Sequence, residues 1–271
     1  MNFGSLFGEA KRSLKGKCLI VCVMVFIYMV VSEGLTWVDN VMSIKSIMDG
    51  TFFTTSETQP IWPTIIVTIL QAFLVVGYAT SMLNVARGKD VKLGDLLLNW
   101  RFGFKAMCLI ILQGIYTVLW TLLFIVPGIV KAYSYSMALY ILVEDPTKGI
   151  NQCITESREM MNGYKFDLFV VELVFGALGL LSVGLMSIIV LVPVAVLGLN
   201  KQTGANGIAM TTVVVLGIIA FLIAVLLRTI NEVVCAHFYL KISAKETVVR
   251  TFGDERFEDI NKENIVNNII E

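Results

Sequence analysis

The strongest constraint on this chain is a series of apolar runs too long for the interior of a soluble domain. A bilayer core about 30 Å thick is crossed by roughly 20 helical residues at about 1.5 Å each. Residues 18–37, 61–86, 106–126, 129–143, 166–199 and 207–227 reach or approach that length, and the last continues at helical period through Tyr239. Hydrophobic residues make up 56% of the chain and charged residues 15%. Soluble domains carry roughly 25% charge, so a soluble fold would lack the polar surface to cover its core. The expectation is an all-α, polytopic transmembrane helix bundle of about six spans. The run 166–199 exceeds one crossing. It fits one tilted helix with an irregular end near Pro193, or a tight hairpin that would make seven spans. Lys11, Arg12, Lys15 and Lys17 precede the first run as in a signal peptide, but the following SEGLTW has no small-x-small cleavage site, which favours a retained anchor.

Orientation follows from Lys and Arg in the short loops. Residues 1–17 are basic, 38–60 carry only Lys45, 87–105 carry Arg87, Lys89, Lys92, Arg101 and Lys105, and 144–165 carry Lys148, Arg158 and Lys165. The turn at 127–131 and the loop at 200–206 carry one cation each. Six spans then place both termini in the cytoplasm, with a polar, partly loose tail over 241–271.

Three segments share a plan. An amphipathic stretch (residues 3–14, 91–102 and 146–162) leads to Gly16, Gly103 or Gly163, then to Lys17, Lys105 or Lys165, then to an apolar run. An amphipathic helix lies stably in the interface plane, and glycine ends it cheaply in a left-handed conformation. The chain thus divides into 1–86, 87–143 and 144–240, each an interfacial helix plus a hairpin, with Asp145 as N-cap and Pro146 at the first helical position of the third interfacial helix. The simpler reading is that basic residues precede any inside-to-outside span.

Ionisable residues within apolar runs are costly, about 2.5–3.5 kcal/mol on insertion scales, and are functional candidates for that reason. Glu172 lies deep enough to face the bundle or to reach back to the interface. Arg228 and Glu232 are spaced for an ion pair on one helix face, and with Asn231 and His237 they form a polar half-helix suited to a lipid headgroup or anion, or to a solvated helix end. Lys131 would cap carbonyls freed by a break at Pro127 and Gly128. Tyr135 sits in a hydroxyl-rich stretch with Tyr133, Ser134, Ser136 and Tyr140, read as interhelical hydrogen bonding or as a groove lining. Glu33 suits an outer interface.

The excluded chemistry is broad. The formal net charge is zero, so no global field favours nucleic acid. No HExxH, GxSxG or P-loop is present. The single histidine, His237, rules out a zinc site built on several histidines and has no evident catalytic serine beside it in sequence. The five cysteines form no CxxC pair and read as packing residues. No catalytic residue, metal site or cofactor is expected.

The stretch LWTLLFIVPGIVKAYSYSMALYILVEDP and the following ITESREMMNGYKFDLF resemble the bacterial integral-membrane family of domain of unknown function 975. The residues that carry this are Trp120, Pro127, Gly128, Ile129, Tyr135, Ser136, Met137, Ser157, Met161, Gly163 and Lys165, with Phe238 and Tyr239 resembling the family's terminal pair. The region between Ser182 and Arg228 is longer than the family's usual connection. The resemblance implies a multi-span protein of the bacterial cytoplasmic membrane and brings no activity with it. The functional expectation is therefore a non-catalytic accessory, scaffold or protective protein. Its partners would be membrane lipids or another membrane protein, the latter docking on a cytosolic face containing Met160 and Met161. The alternative is a small transporter or channel with broken helices at Pro127 and Pro193.

Overall fold

The structure is a computed structural model that describes residues 3–32, 62–97, 100–199 and 206–252. Glu33, the 38–60 loop, the loop around Lys201 and the tail beyond 252 lie outside the described residues. Every regular element described is helical: α1 (Phe3–Leu14), α2 (Cys18–Ser32), α3 (Trp62–Ala86), two short 3-10 turns (Leu93–Leu97 and Trp100–Phe102), α4 (Gly103–Leu123), α5 (Ile125–Tyr135), α6 (Ala138–Glu144), α7 (Ile150–Met160), α8 (Lys165–Leu199) and α9 (Asn206–Phe252). Among the described residues four helical segments are long and apolar enough to cross a membrane: Ile65–Ala86, Gly103–Leu123, Ile125–Glu144 and Phe221–Thr247. The α1–α2 pair makes a fifth if its bent halves count as one span.

The fold is built around α9. α8 and α3 pack along it, and its C-terminal half also carries α1. Residues from every one of these helices close a single core. Met24 of α2, Met82 and Leu83 of α3, Leu109 of α4, Met137, Leu142 of α6, Leu168 of α8 and Phe238 and Tyr239 of α9 are all buried within it. Met160 and Met161, expected on a partner-docking face, are buried as well, so neither is exposed at the end of α7.

Two of the three expected glycine turns hold. α1 is bent by 99° from α2, and Gly16 between them has φ +83°. Gly163, between α7 and α8, has φ +84°. Gly103 differs: it is the first residue of α4, not a left-handed turn, and the segment before it is 3-10 helix. Its glycine is needed for packing, because a Cβ there would lie 2.2 Å from the Phe73 ring. The positive-φ residue in that part of the chain is Gly88, at the end of α3.

Four other expectations are corrected. The α4–α5 break falls at Phe124, which is extended (φ −157°, ψ 137°), and not at Pro127-Gly128. Pro127 lies in the first turn of α5, where a missing N–H costs nothing. Gly128 lets α5 close on α4, since a Cβ would come within 2.7 Å of the Thr121 backbone. Pro193 breaks nothing: α8 is one continuous helix from Lys165 to Leu199, which removes the tight-hairpin alternative. Neighbouring elements can satisfy the carbonyl that a proline frees in an apolar helix. Asp145 caps the end of α6 rather than the start of α7, and its carboxylate accepts from the Thr147 N–H at 3.1 Å and from the Thr147 hydroxyl, so α7 begins later, after Gly149. Those two bonds, the hydroxyl first, hold the Asp145 carboxyl below its usual range. Finally, α9 runs on to Phe252, so residues 241–252 are helix and not a loose tail, and Ile242 and Ala244 within them are buried.

Candidate functional site

On α9, Arg228, Asn231, Glu232 and Cys235 recur at three- and four-residue spacing and therefore share one face. On α8, Glu172, Gly176 and Gly179 do the same. These two faces, together with Ser136, Met137 and Tyr140 from the α5–α6 turn and Met29 from α2, enclose a cavity of about 550 Å³. Leu168, Phe175 and Leu227 supply apolar wall. Both glycines border open space, since a Cβ added at Gly176 or Gly179 would meet nothing within 4 Å.

Three of the ionisable residues singled out in sequence thus meet at one place. Arg228 and Glu232 form the expected ion pair, Nη2 to Oε1 at 2.9 Å, with the arginine side chain half exposed and the glutamate largely buried. Glu172 is exposed at the cavity, with the Tyr133 hydroxyl beside it. The pair is neutral overall, which leaves Glu172 as the one carboxylate at the cavity without a basic side chain paired to it in the described ion pairs. Tyr140 of the cavity wall stacks on Tyr239, ring centroids 5.2 Å apart. Outside the cavity lining, Tyr78 stacks on Tyr28 at 4.3 Å, and the buried Tyr78 hydroxyl finds no hydrogen-bond partner among the described residues.

The remaining candidates fall elsewhere. His237 is buried on another face of α9, where its Nε2 lies 3.0 Å from the Ser13 hydroxyl of α1. It is therefore separate from the Arg228–Glu232 site, and the serine that the sequence did not reveal is a partner on a packed helix. None of the described cavities is lined by either residue. Lys131 does not cap carbonyls: its ammonium sits over the Trp120 ring, 4.7 Å from the centroid. Tyr135 lines a second, smaller cavity of about 240 Å³ with Tyr116, Trp120, Asn151, Ile154, Thr155 and Arg158.

Sequence reasoning missed the polar junction that holds α3, α6 and α9 together. The Tyr239 hydroxyl donates to Glu144 at 2.6 Å, and Arg87 pairs with the same carboxylate. It also missed Gly176 and Gly179, although two glycines three apart in an apolar helix were a legible sign of a recess or a close approach.

Residues 125–246 match the family described as "Protein of unknown function (DUF975)". The matched region takes in the motif residues quoted above except Trp120, and it contains Glu172, Arg228, Glu232 and the α5–α6 turn, but not α1 to α4. Neither a curated protein nor a solved structure matches the chain.

Proposed function

We propose that this chain is a non-catalytic integral membrane protein whose α8–α9 cavity binds the polar end of a membrane amphiphile. The observation that carries the reading is the meeting of Glu172, Arg228 and Glu232 in one apolar-walled recess of about 550 Å³. That volume is within the usual range for small-molecule sites, about 300–1,000 Å³. Carboxylates and a guanidinium among apolar helices are costly to keep, and in membranes such groups commonly mark a ligand or an ion path.

The charges suit a zwitterionic headgroup. Arg228 spends one N–H on Glu232, and a guanidinium has five, so donors remain for a phosphate. Glu172 is placed to take an ammonium. An aminophospholipid offers both groups and two chains for the apolar wall. The protein would lie in a bacterial cytoplasmic membrane, cross it several times and keep both termini in the cytoplasm, as the basic loops indicate.

The transport alternative rested on paired helix breaks, and with α8 continuous through Pro193 one of that pair is gone. The partner-protein form of the accessory reading loses Met160 and Met161, which are buried. The test is thermal unfolding of the purified protein titrated with short-chain phosphatidylethanolamine or phosphatidylglycerol. The amine lipid should raise the melting temperature more, and Glu172→Gln should erase the difference. Equal response to both lipids in the wild type would rule out the zwitterionic site.

A further inference from the structure

The tip of the α4–α5 hairpin is the most exposed apolar feature described. Leu122, Leu123, Phe124, Ile125 and Val126 are 83%, 63%, 68%, 71% and 70% exposed. From Thr121 to Val130 the only polar side chain is Thr121, and its hydroxyl is spent on the Thr117 carbonyl. A loop in water has no such composition. Part of the turn's backbone pairs within it: the Phe124 N–H donates to the Trp120 carbonyl and the Gly128 N–H to the Phe124 carbonyl, each at 3.1 Å, and Pro127 has no N–H to satisfy.

The level of the hairpin is set by its neighbours. Lys131 and Trp120 sit together just behind the tip, and both are residue types that anchor at headgroup depth. Trp120 and Tyr116 share a cavity with Asn151, Thr155 and Arg158, which lie on the exposed polar face of α7. α7 is tied at both ends to one end of the bundle. Before it, the Pro146 carbonyl accepts from Lys105 at the base of α4; after it, the Tyr164 hydroxyl bonds Lys245, near the end of α9. A hairpin that crossed the bilayer would carry Trp120 to the far surface and would pull polar α7 into the hydrocarbon.

We infer that the α4–α5 hairpin enters the bilayer without crossing it, its tip buried among lipid acyl chains and its base held at the headgroup level by Trp120, Lys131 and Arg158. From Trp120 to Phe124 the chain advances about 6 Å along α4, which is the most the tip can reach beyond the level of Trp120. α4 and α5 are long and apolar enough for two crossings; the tip and α7 argue against that use of them. The inference does not depend on what occupies the α8–α9 cavity.

The experiment places single cysteines at Leu123, Ile125 or Arg158 in a background whose native cysteines are replaced, in membrane vesicles of known sidedness. All three positions are exposed, so no packing is lost. A membrane-impermeant maleimide should label Arg158→Cys from one side only. It should leave Leu123→Cys and Ile125→Cys unlabelled from both sides until detergent is added. A fluorophore attached at residue 123 should be quenched more strongly by lipids spin-labelled along the acyl chain than by headgroup-labelled lipid. Labelling of either tip cysteine in intact vesicles from the side opposite Arg158→Cys would show a crossing hairpin. Labelling from the same side would show a hairpin outside the bilayer. Either result overturns the inference.

Discussion

The Tyr239 hydroxyl donates to the Glu144 carboxylate across 2.6 Å and so joins the end of α6 to the middle of α9. Arg87, just past α3, pairs with the same carboxylate, and the Tyr239 ring stacks on Tyr140 of the cavity wall. Tyr239→Phe keeps the stacking and removes one bond to a charged group, a loss of about 1.5–3 kcal/mol. Glu144→Ala leaves both Arg87 and Tyr239 without that partner and should cost more. Thermal or denaturant unfolding in detergent measures the order. A Tyr239→Phe protein as stable as wild type would show that the bond contributes nothing.

The 3-10 turn Leu93–Leu97 rides directly on α3 at Gly77. A Cβ there would fall 2.0 Å from the Leu96 carbonyl oxygen and 2.4 Å from its carbon, and backbone atoms cannot swing away as a side chain can. Gly77→Ala should therefore lower stability by about 1–3 kcal/mol, the usual cost of overpacking. Gly114→Ala, where nothing lies within 4 Å, should be neutral or add roughly 0.5–1 kcal/mol through helix propensity. Paired melts of the two variants decide the matter, and equal effects would contradict this packing.

His237 and Ser13 hold α1 against α9 at 3.0 Å. Ser13→Ala should cost about 1 kcal/mol, as for an ordinary hydrogen bond, with lipid retention unchanged because neither residue lines the α8–α9 cavity. A serine-directed fluorophosphonate probe should leave Ser13 unmodified, since none of the described cavities opens on the pair. Stoichiometric labelling of Ser13 would revive a catalytic reading.

The Tyr78 hydroxyl is buried without a hydrogen-bond partner among the described residues, while its ring stacks on Tyr28. A buried polar group left unmade costs about 1–3 kcal/mol. Tyr78→Phe keeps the ring and should be neutral or stabilising. A clear drop in melting temperature would mean that the hydroxyl has a partner, for which a buried water is the first candidate.

Much of the fold was legible because apolar length and helical period are local properties. The helices, the turns at Gly16 and Gly163, and the Arg228–Glu232 pair all follow from residues a few positions apart. What sequence missed depends on distant pairs. Phe124 became the hairpin break because Gly128 can close on Thr121 and Pro127 fits a first helical turn, so the two strongest breaker residues ended up inside the helix that follows the break. His237 looked continuous with Arg228 along the chain, but nine residues along a helix is 2.5 turns, enough to move it to another face. Glu172 could be flagged by its cost in lipid, yet only the packing of α8 on α9 brings it to Arg228.

The most direct test of the central claim is native mass spectrometry of the gently extracted protein, comparing wild type with Gly176→Leu. The added side chain has open space to enter, so it should plug the cavity without disturbing the helices. The account predicts that wild type retains one amine-bearing phospholipid per chain and that Gly176→Leu, equally stable, loses it. A wild-type chain that carries no such lipid, or a plugged variant that carries it undiminished, would contradict the account.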